Sequence, residues 1–321
     1  MFEKKKIITS TGVEVRKKPL GLRIWTNRGY YVMFLPVAIF VLILNYWPLL
    51  GVRFAFYNYK PVGEPVFNGF ENFTKLFATD AFWVAFKNTL ELSIMKLLIT
   101  TATAVIVSIF LNEMGNLLAK KALQTIIYLP HFMSWAVVAA VASLFLSPSV
   151  TGMVNGMLRD WGILGEADKN IYFLANKDMW RPIFYIINIW KETGWGTIIF
   201  LATLSGINPE LYEAADIDGA TRFQKMRFIT MPALANTILT VLILNLAKVL
   251  NMFESVFVLY NNAVFEVADV ISTYIYRQTF AVALPNYGYS TAVGLFRSLV
   301  GCLLFVICNW LSKKVRGRGI V

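Results

Sequence analysis

Six long apolar runs follow one another along the chain, separated by segments that hold most of the charged residues. A helix that crosses the hydrocarbon core of a bilayer needs about 20 mostly apolar residues, and each run reaches that length. The runs cover residues 31–51, 89–112, 122–147, 182–204, 232–259 and 288–311. This pattern predicts an all-α integral membrane protein with six transmembrane helices.

The composition is that of a chain embedded in lipid. The 321 residues are 57% hydrophobic and 15% charged, with a mean hydropathy of +0.58, which is more apolar surface than one soluble core would bury. Cys302 and Cys308 are the two cysteines, and both lie in the last apolar run, which argues against a disulfide framework. His131 is the single histidine, which excludes a site built from several histidines. We expect no metal and no cofactor.

The distribution of Lys and Arg predicts the orientation of the spans. With the N-terminus in the cytoplasm, 17 of these bases lie in inner segments and nine in the three outer loops. Bases placed beside apolar segments favour membrane topology over nucleic-acid binding, although the net charge is +11. No small-residue cleavage site follows the first run, so we expect that run to be retained. The predicted parts are a basic cytoplasmic tail at 1–30, the membrane domain at 31–311 with a cytoplasmic loop at 206–231, and a cytoplasmic tail at 312–321.

Several ionisable residues fall inside the predicted spans. They are the bases Lys96, Lys191, Lys248 and Arg297 and the acids Glu91, Glu192 and Glu254. A charge at the bilayer centre costs about 2.5–3.5 kcal/mol on insertion scales, so such residues usually face a bundle interior or an aqueous path. One interpretation is therefore a transport route. The alternative is that the residues near span ends extend their polar groups to the membrane interface.

Residues 210–232, ELYEAADIDGATRFQKMRFITMP, place four acids and three bases between two apolar runs. Asn208 suits the N-cap of a short helix, and Gly219 suits the left-handed residue that ends it. A second helix then begins at Thr221, and Pro232 opens the next span. The stretch predicts a cytoplasmic helix-turn-helix whose small and charged residues suit docking into another protein. The alternative is a solvated connector, although a connector needs far fewer residues.

This stretch resembles the EAA loop of ATP-binding-cassette importer permeases. The family pattern is E-A-A, two residues, D-G-A, and then a hydrophobic stretch that ends I-x-x-P. The matching residues are Glu213, Ala214, Ala215, Asp218, Gly219, Ala220, Gln224, Ile229 and Pro232. Met226 stands where the pattern usually has Phe. In that family the loop forms the coupling helices that seat in the ATP-hydrolysing subunits, so the resemblance assigns ATPase coupling to these residues.

Further motifs resemble the maltose-type branch of carbohydrate-uptake permeases. They include LPHFMSW at 129–135, NIWKETGWGT at 188–197, and a final region similar to the subgroup that imports oligosaccharides and polysaccharide fragments. The resemblance implies the type I importer permease fold, in the bacterial cytoplasmic membrane with lipid around it. It also implies a second, homologous permease in a heterodimer, two ATPase subunits, an extracytoplasmic solute-binding protein and an oligosaccharide substrate. The sequence holds no G-x-x-x-x-G-K-[ST] phosphate loop, as expected for a subunit that is not an enzyme.

The maltose-type motifs also imply eight residues along the substrate path. They are His131, Trp135, Asn188, Lys191, Glu192, Trp195, Asn251 and Glu254. Aromatic faces suit the C–H surfaces of sugar rings, and polar groups suit the hydroxyls. Lys191 and Glu192 stand where a neutral-sugar permease has apolar or small residues. Lys191, Lys248 or both are therefore candidate partners for the carboxylate of a uronate-containing oligosaccharide. The alternative is that each lysine pairs with a neighbouring glutamate and contacts no substrate.

Other classes of membrane protein are the competing interpretations. A secondary transporter also carries charges in its spans, but six spans without a clear inverted repeat argue against it. A membrane enzyme would show paired carboxylates or a histidine cluster, and His131 is alone. A permease for a solute other than a sugar stays open as the alternative within the same family.

Overall fold

The computed structural model describes residues 6–8, 14–16, 19–149, 152–165, 168–246 and 249–316, and most of them are helical. The α-helices are α1 Leu20–Thr26, α2 Arg28–Val41, α3 Glu71–Phe77, α4 Asp80–Glu113, α5 Leu117–Tyr128, α6 Trp135–Phe145, α7 Met153–Asp160, α8 Lys177–Leu204, α9 Pro209–Ile217, α10 Arg222–Lys225, α11 Met231–Leu246, α12 Glu254–Phe257, α13 Phe265–Ala268, α14 Ile271–Phe280 and α15 Tyr287–Arg316. Strands β1 Lys6–Ile8 and β2 Glu14–Arg16 pair antiparallel, as do β3 Tyr57–Asn58 and β4 Val66–Phe67. The 3-10 and π segments are Leu42–Tyr46, Trp47–Phe56, Leu129–Phe132, Phe173–Ala175, Met226–Thr230, Val249–Asn251 and Asn262–Val264.

Four helices are long and apolar enough to cross a membrane, or five if a bent pair counts as one span, within the residues described. The four are Arg28–Phe56, Asp80–Glu113, Arg222–Leu246 and Tyr287–Lys314. The bent pair is Leu117–Phe132 with Trp135–Phe145. Helix α8 occupies the position of the predicted span at 182–204 but is not among these candidates, because polar residues such as Lys191 and Glu192 interrupt its apolar sequence. Parts of the predicted tails, at 1–5, 9–13, 17–18 and 317–321, lie outside the described residues.

The predicted span at 122–147 is not one straight helix, because the helix axis turns by 104° between Phe132 and Trp135. Pro130 lies in the 3-10 turn that ends the first half and has no N–H to donate. Met133 and Ser134 are extended, and the Ser134 hydroxyl accepts a hydrogen bond from the Val137 N–H at 3.3 Å. Ser134 therefore caps a new helix, and the break is encoded locally by a proline followed by an N-cap residue.

The predicted span at 232–259 is also not one helix. The helical run begins earlier, at Arg222, and α11 ends at Leu246. From there to residue 259 the described residues contain a 3-10 turn, Val249–Asn251, and the short α12. Pro232 does not open the span but lies inside this run, two residues after the π-helical segment Met226–Thr230. Proline has no N–H to donate to the residue four positions earlier, and the π-helical turn, which bonds five residues apart, already interrupts that α-helical pattern.

Helices α4 and α8 pack along much of their length and form the centre of the residue 55–316 portion. Their contact is close because small residues face it. A Cβ at Gly196 would lie 2.8 Å from the Cβ of Ala104 on α4. A Cβ at Gly194 would lie 2.3 Å from the main-chain oxygen of Ile127 on α5, so α8 approaches α5 just as closely. Small residues at such crossings are typical of membrane helices, whose association depends on van der Waals packing.

Candidate functional site

A cavity of about 610 Å³ opens among α4, α6, α8, α11 and the segment that follows α11. Its polar lining includes Lys96, Thr100, Glu192, Asn245, Asn251 and Glu254. Two indoles, those of Trp135 and Trp195, line the same space. A cavity of this size with flat aromatic faces and a few polar groups has the character of a binding site for an organic molecule of moderate size.

Five of the eight residues predicted along the substrate path line this cavity. They are Trp135, Glu192, Trp195, Asn251 and Glu254. Helix α8 contributes two of them because residues three or four apart share one helix face, and Gly196 and Ile199 continue that face along the cavity. Trp195 is 52% exposed, so its indole is available to a ligand.

His131 lies behind Trp195 and not on the cavity wall. The imidazole and indole rings stack, with centroids 5.0 Å apart and planes at 10°. The Nδ1 atom of His131 is 3.3 Å from an oxygen of Glu192. His131 therefore supports one aromatic and one acidic side chain that do line the cavity.

Lys191 is buried, with 4% of its surface exposed, and it does not line the cavity. Its ammonium donates hydrogen bonds to the main-chain oxygens of His131 at 2.9 Å and Met133 at 2.7 Å. It also lies 5.3 Å from the centroid of the Trp135 ring, within range of a cation–π interaction. Its hydrogen bonds thus go to main-chain oxygens at the helix break, and none goes to a glutamate.

Asn188 is fully buried one turn before Glu192 on α8, away from the cavity. Its amide donates to the main-chain oxygen of Phe184 at 2.7 Å. Its side-chain oxygen has no hydrogen-bond partner within the part of the chain that the structure describes. The other predicted carboxylate partner, Lys248, lies outside the described residues.

Lys96 on α4 lines the cavity and was not among the residues predicted along the path. Its ammonium lies 5.7 Å from the centroid of the Trp135 ring. It makes no hydrogen bond or ion pair of its own to any residue in the described ranges. The sequence did hold a signal, since Ser93, Lys96 and Thr100 recur at helical spacing in an otherwise apolar span and so share one face.

The charged stretch at 210–232 has the predicted N-cap at its start and the predicted left-handed glycine at its turn. The Asn208 side chain caps α9 by accepting from the Glu210 N–H at 3.1 Å. Gly219 has φ +73°, the left-handed conformation that favours glycine. Thr221 and Gln224 form a reciprocal capping box at the start of the next helix. The difference from the prediction is that this second helix runs on into the membrane span.

The surface of this loop carries solvent-exposed apolar side chains next to charged ones. Ile217 is 88% exposed and Phe223 is 64% exposed. Asp216 pairs with Lys225 across the turn at 2.7 Å, which holds the two helices together. The predicted coupling residues are arranged around this turn, with Glu213, Ala214, Asp218 and Gln224 exposed, Ala215 and Ala220 partly buried, and Pro232 further along the second helix.

Residues 104–317 match the protein family described as the binding-protein-dependent transport system inner membrane component. The chain belongs to this family. It is therefore a multi-pass membrane permease of a transport system and not an enzyme. The match includes the charged loop, the break between α5 and α6 and most of the cavity wall.

Two curated relatives from Bacillus subtilis (strain 168) cover nearly the whole chain. Protein LplB is 38% identical over 298 residues, which are 92% of this chain and 91% of that protein. The polygalacturonan/rhamnogalacturonan transport system permease protein YteP is 37% identical over 309 residues, which are 95% of this chain and 94% of that protein.

A crystal structure of a bacterial ABC transporter involved in the import of the acidic polysaccharide alginate contains a similar chain. The TM-score is 0.83 at 39% identity, and the match covers 93% of this chain and 100% of that one. A second structure of a bacterial alginate ABC transporter, in complex with an alginate pentasaccharide-bound periplasmic protein, matches equally well, with a TM-score of 0.83 at 39% identity and coverage of 94% and 100%. These similarities agree with the all-α type I importer permease fold predicted from the sequence.

Proposed function

We propose that this chain forms half of the translocation path of an ATP-driven importer for an oligosaccharide that contains uronate residues. The observation that carries the proposal is the cavity between the membrane helices, which combines two indoles with ammonium, carboxylate and amide groups. Sugar rings present apolar C–H faces and many hydroxyls, so they need both kinds of surface. The similarity to permeases named for polygalacturonan and alginate transport supports an acidic sugar.

Within the cavity, the proposed sugar contacts are the residues whose side chains reach it. Trp135 and Trp195 offer flat faces, while Glu192, Asn251 and Glu254 accept or donate hydrogen bonds to hydroxyls. His131, Asn188 and Lys191 lie behind this layer, and we assign them the role of holding it in place. This assignment is supported by the stacking of His131 on Trp195 and by the hydrogen bonds of Lys191 to the helix break.

Coupling to ATP hydrolysis is proposed to run through the loop around Gly219. The exposed apolar side chains of Ile217 and Phe223 and the small residues Ala214 and Ala215 provide a surface that fits a groove on an ATPase subunit. Exposed apolar patches with polar rims are typical of protein interaction sites. Two ATPase subunits, a second homologous permease and an extracytoplasmic solute-binding protein complete the proposed complex.

The proposed orientation places both termini and this loop in the cytoplasm. Its support is the excess of Lys and Arg on that side, 17 against nine. The outer loops are then 52–88, 148–181 and 260–287. The solute-binding protein would deliver the sugar to that outer side.

The experiment that tests this function combines a glycan-binding screen with uptake. The cognate solute-binding protein is screened against neutral and uronate-containing oligosaccharides, and the best ligand is then offered to proteoliposomes that contain the whole complex. We expect a uronate oligosaccharide to bind and to be taken up only with ATP on the cytoplasmic side. Uptake driven by an ion gradient without ATP, or binding of a solute other than a sugar, would contradict the proposal.

A further inference from the structure

The ammonium groups of Lys96 and Lys191 lie beside the same indole, that of Trp135, but they differ in their hydrogen bonds and in their access to the cavity. The nitrogen of Lys191 is 5.3 Å from the Trp135 ring centroid, and the nitrogen of Lys96 is 5.7 Å from it. Lys191 donates to two main-chain oxygens and is outside the cavity lining. An ammonium has three N–H donors, and Lys191 uses two of them in hydrogen bonds to main-chain oxygens.

Lys96 differs in both respects. Its side chain lines the cavity, and its ammonium makes no hydrogen bond or salt bridge within the described ranges, although the charges of Glu192 and Lys191 act on it at longer range. A charged group in a membrane helix with no such partner is costly, which makes it a marker of a ligand or ion path. Lys96 is also the single base among the cavity-lining residues described.

Two acidic residues, Glu192 and Glu254, also line the cavity, and their positions are compatible with the binding of an anionic sugar. Glu192 lies closest to His131, with its carboxylate oxygen 3.3 Å from the imidazole nitrogen, and it attracts the Lys96 ammonium at longer range. Glu254 is on the segment that follows α11 and is exposed. A uronate unit has both hydroxyl donors, which suit carboxylate acceptors, and a carboxylate, which suits an ammonium. A cavity with separate acidic and basic points therefore fits a uronate sugar better than an anion without hydroxyls.

We infer that Lys96 is the residue of this permease that binds the carboxylate of the transported uronate, with Trp135 as the adjacent sugar platform. The inference rests on the proposed function, which specifies an acidic oligosaccharide but not the residue that binds its carboxylate. Lys191 supports the site from behind through its contacts to the helix break.

The test compares each acidic substrate with its own neutral counterpart. The probes are a short oligogalacturonate, a short alginate oligomer, and the same oligomers after reduction of their carboxyl groups to primary alcohols. Proteoliposomes contain the complete complex with either the wild-type chain, Lys96→Gln or Lys96→Arg, and every probe is offered at saturating solute-binding protein. The measured quantity is the initial uptake rate.

Loss of a charge-assisted contact should lower the uptake rate of the preferred uronate by about tenfold or more in Lys96→Gln, because each 1.4 kcal/mol is a factor of ten. Uptake of any carboxyl-reduced oligomer that the wild type accepts should change by less than about twofold, and Lys96→Arg should recover most of the uronate rate. If the wild type takes up no carboxyl-reduced oligomer, two other results support the inference. These are recovery of uronate uptake in Lys96→Arg and an unchanged melting temperature of the Lys96→Gln complex.

Each other outcome overturns the inference in a distinguishable way. Equal loss of acidic and reduced substrates, or a loss that arginine does not rescue, would make Lys96 a structural residue. An unchanged uronate rate in Lys96→Gln would place carboxylate recognition elsewhere while the proposed function stands. A wild-type complex that takes up neither uronate would refute the acidic substrate itself, and the role of Lys96 with it.

Discussion

The side-chain ammonium of Lys191 donates a hydrogen bond of 2.7 Å to the main-chain oxygen of Met133. Met133 lies in the two-residue break where the helix axis turns by 104°. A helix break leaves main-chain oxygens without helical partners, and a buried ammonium satisfies them at the low dielectric of the membrane. The contact thus joins the centre of α8 to the bend that sets the position of Trp135.

Substitution Lys191→Met should destabilise the bend. The main-chain oxygens of His131 and Met133 would lose their donor, at about 1–3 kcal/mol for each that stays unsatisfied. We expect a lower melting temperature of the purified complex and a similar loss of uptake for acidic and carboxyl-reduced oligosaccharides. Lys96→Met is the matched control and should not lower the melting temperature, because the Lys96 ammonium makes no hydrogen bond to the main chain. A normal melting temperature with loss of uronate uptake alone would show that Lys191 is itself the carboxylate partner.

Substitution Trp195→Ala should reduce transport without loss of assembly. Its indole lines the cavity and stacks on His131, so its removal takes away a sugar-facing surface of the path. We expect uptake to fall by about tenfold, because contacts of aromatic side chains are worth on the order of 1 kcal/mol beyond their buried area. Trp190→Ala is the control, since Trp190 is 46% exposed but does not line the cavity. Equal effects of the two substitutions, or failure of Trp195→Ala to assemble, would contradict the assignment.

The segment 260–287, which we propose to be an outer loop, contains an ion pair between the buried Asp269 and the partly buried Arg277. We expect the effect of removing Arg277 to depend on pH. Burial raises the pKa of Asp269 above its usual range, and hydrogen bonds from Thr273 and Arg277 oppose that rise. Removal of Arg277 should raise the pKa further. A carboxyl group with a raised pKa in the folded state destabilises the protein where it is charged, and that deficit disappears as the pH falls below the raised pKa.

Arg277→Met should therefore lower the melting temperature of the complex more at about pH 8 than at about pH 5. The double substitution Arg277→Met with Asp269→Asn removes the titrating group and should show the same loss at both pH values. A loss from Arg277→Met alone that is greater at the acidic pH would contradict the assigned sign.

Gly194 should not tolerate any side chain. A Cβ there would lie 2.3 Å from the main-chain oxygen of Ile127, and main-chain atoms cannot move aside cheaply. Gly194→Ala should destabilise the packing of α8 against α5 by about 1–3 kcal/mol, the range for overpacking. Gly294→Ala is the matched control on another membrane helix, because a Cβ there meets nothing within 4 Å. Equal melting temperatures for the two variants would contradict the close approach.

Some parts of this molecule follow from local sequence and others do not. Asn208, Gly219 and Thr221 each act on the main chain within a few residues, so the helix-turn-helix could be predicted from the sequence. The bend at Met133 is indicated locally by Pro130 and Ser134. A search for apolar runs of sufficient length does not detect it, because the apolar sequence continues through the bend.

The roles of the lysines could not be predicted in the same way. Lys191 and Met133 are far apart in sequence, and their hydrogen bond exists only because α8 packs against the bend. Spacing along one helix could place Lys96 on a polar face, but only the packing of several helices shows that this face lines a cavity. Burial and partner choice are tertiary properties, which is why the sequence alone indicates Lys191 and Lys248 as candidates for the carboxylate partner and does not distinguish them from Lys96.

The turn between α9 and α10 depends on the main-chain conformation of Gly219. Gly219 has φ +73° and a Cβ there would meet nothing within 4 Å, so its requirement is conformational and not steric. Valine is strongly disfavoured in this region, whereas asparagine tolerates it. Gly219→Val should then disturb the loop and uncouple the permease from its ATPase subunits, while Gly219→Asn should keep most of the coupling.

The readout is the amount of ATPase subunit that co-purifies and its stimulation by loaded solute-binding protein. Both variants should reach normal abundance in the membrane, because the turn lies outside the apolar runs. Ala215→Asp, which adds a charge to the proposed contact surface, should resemble Gly219→Val because an unpaired charge in a protein contact is costly. If Gly219→Val and Ala215→Asp both bind ATPase subunits and transport like the wild type, the loop is a solvated connector and coupling must run through another surface.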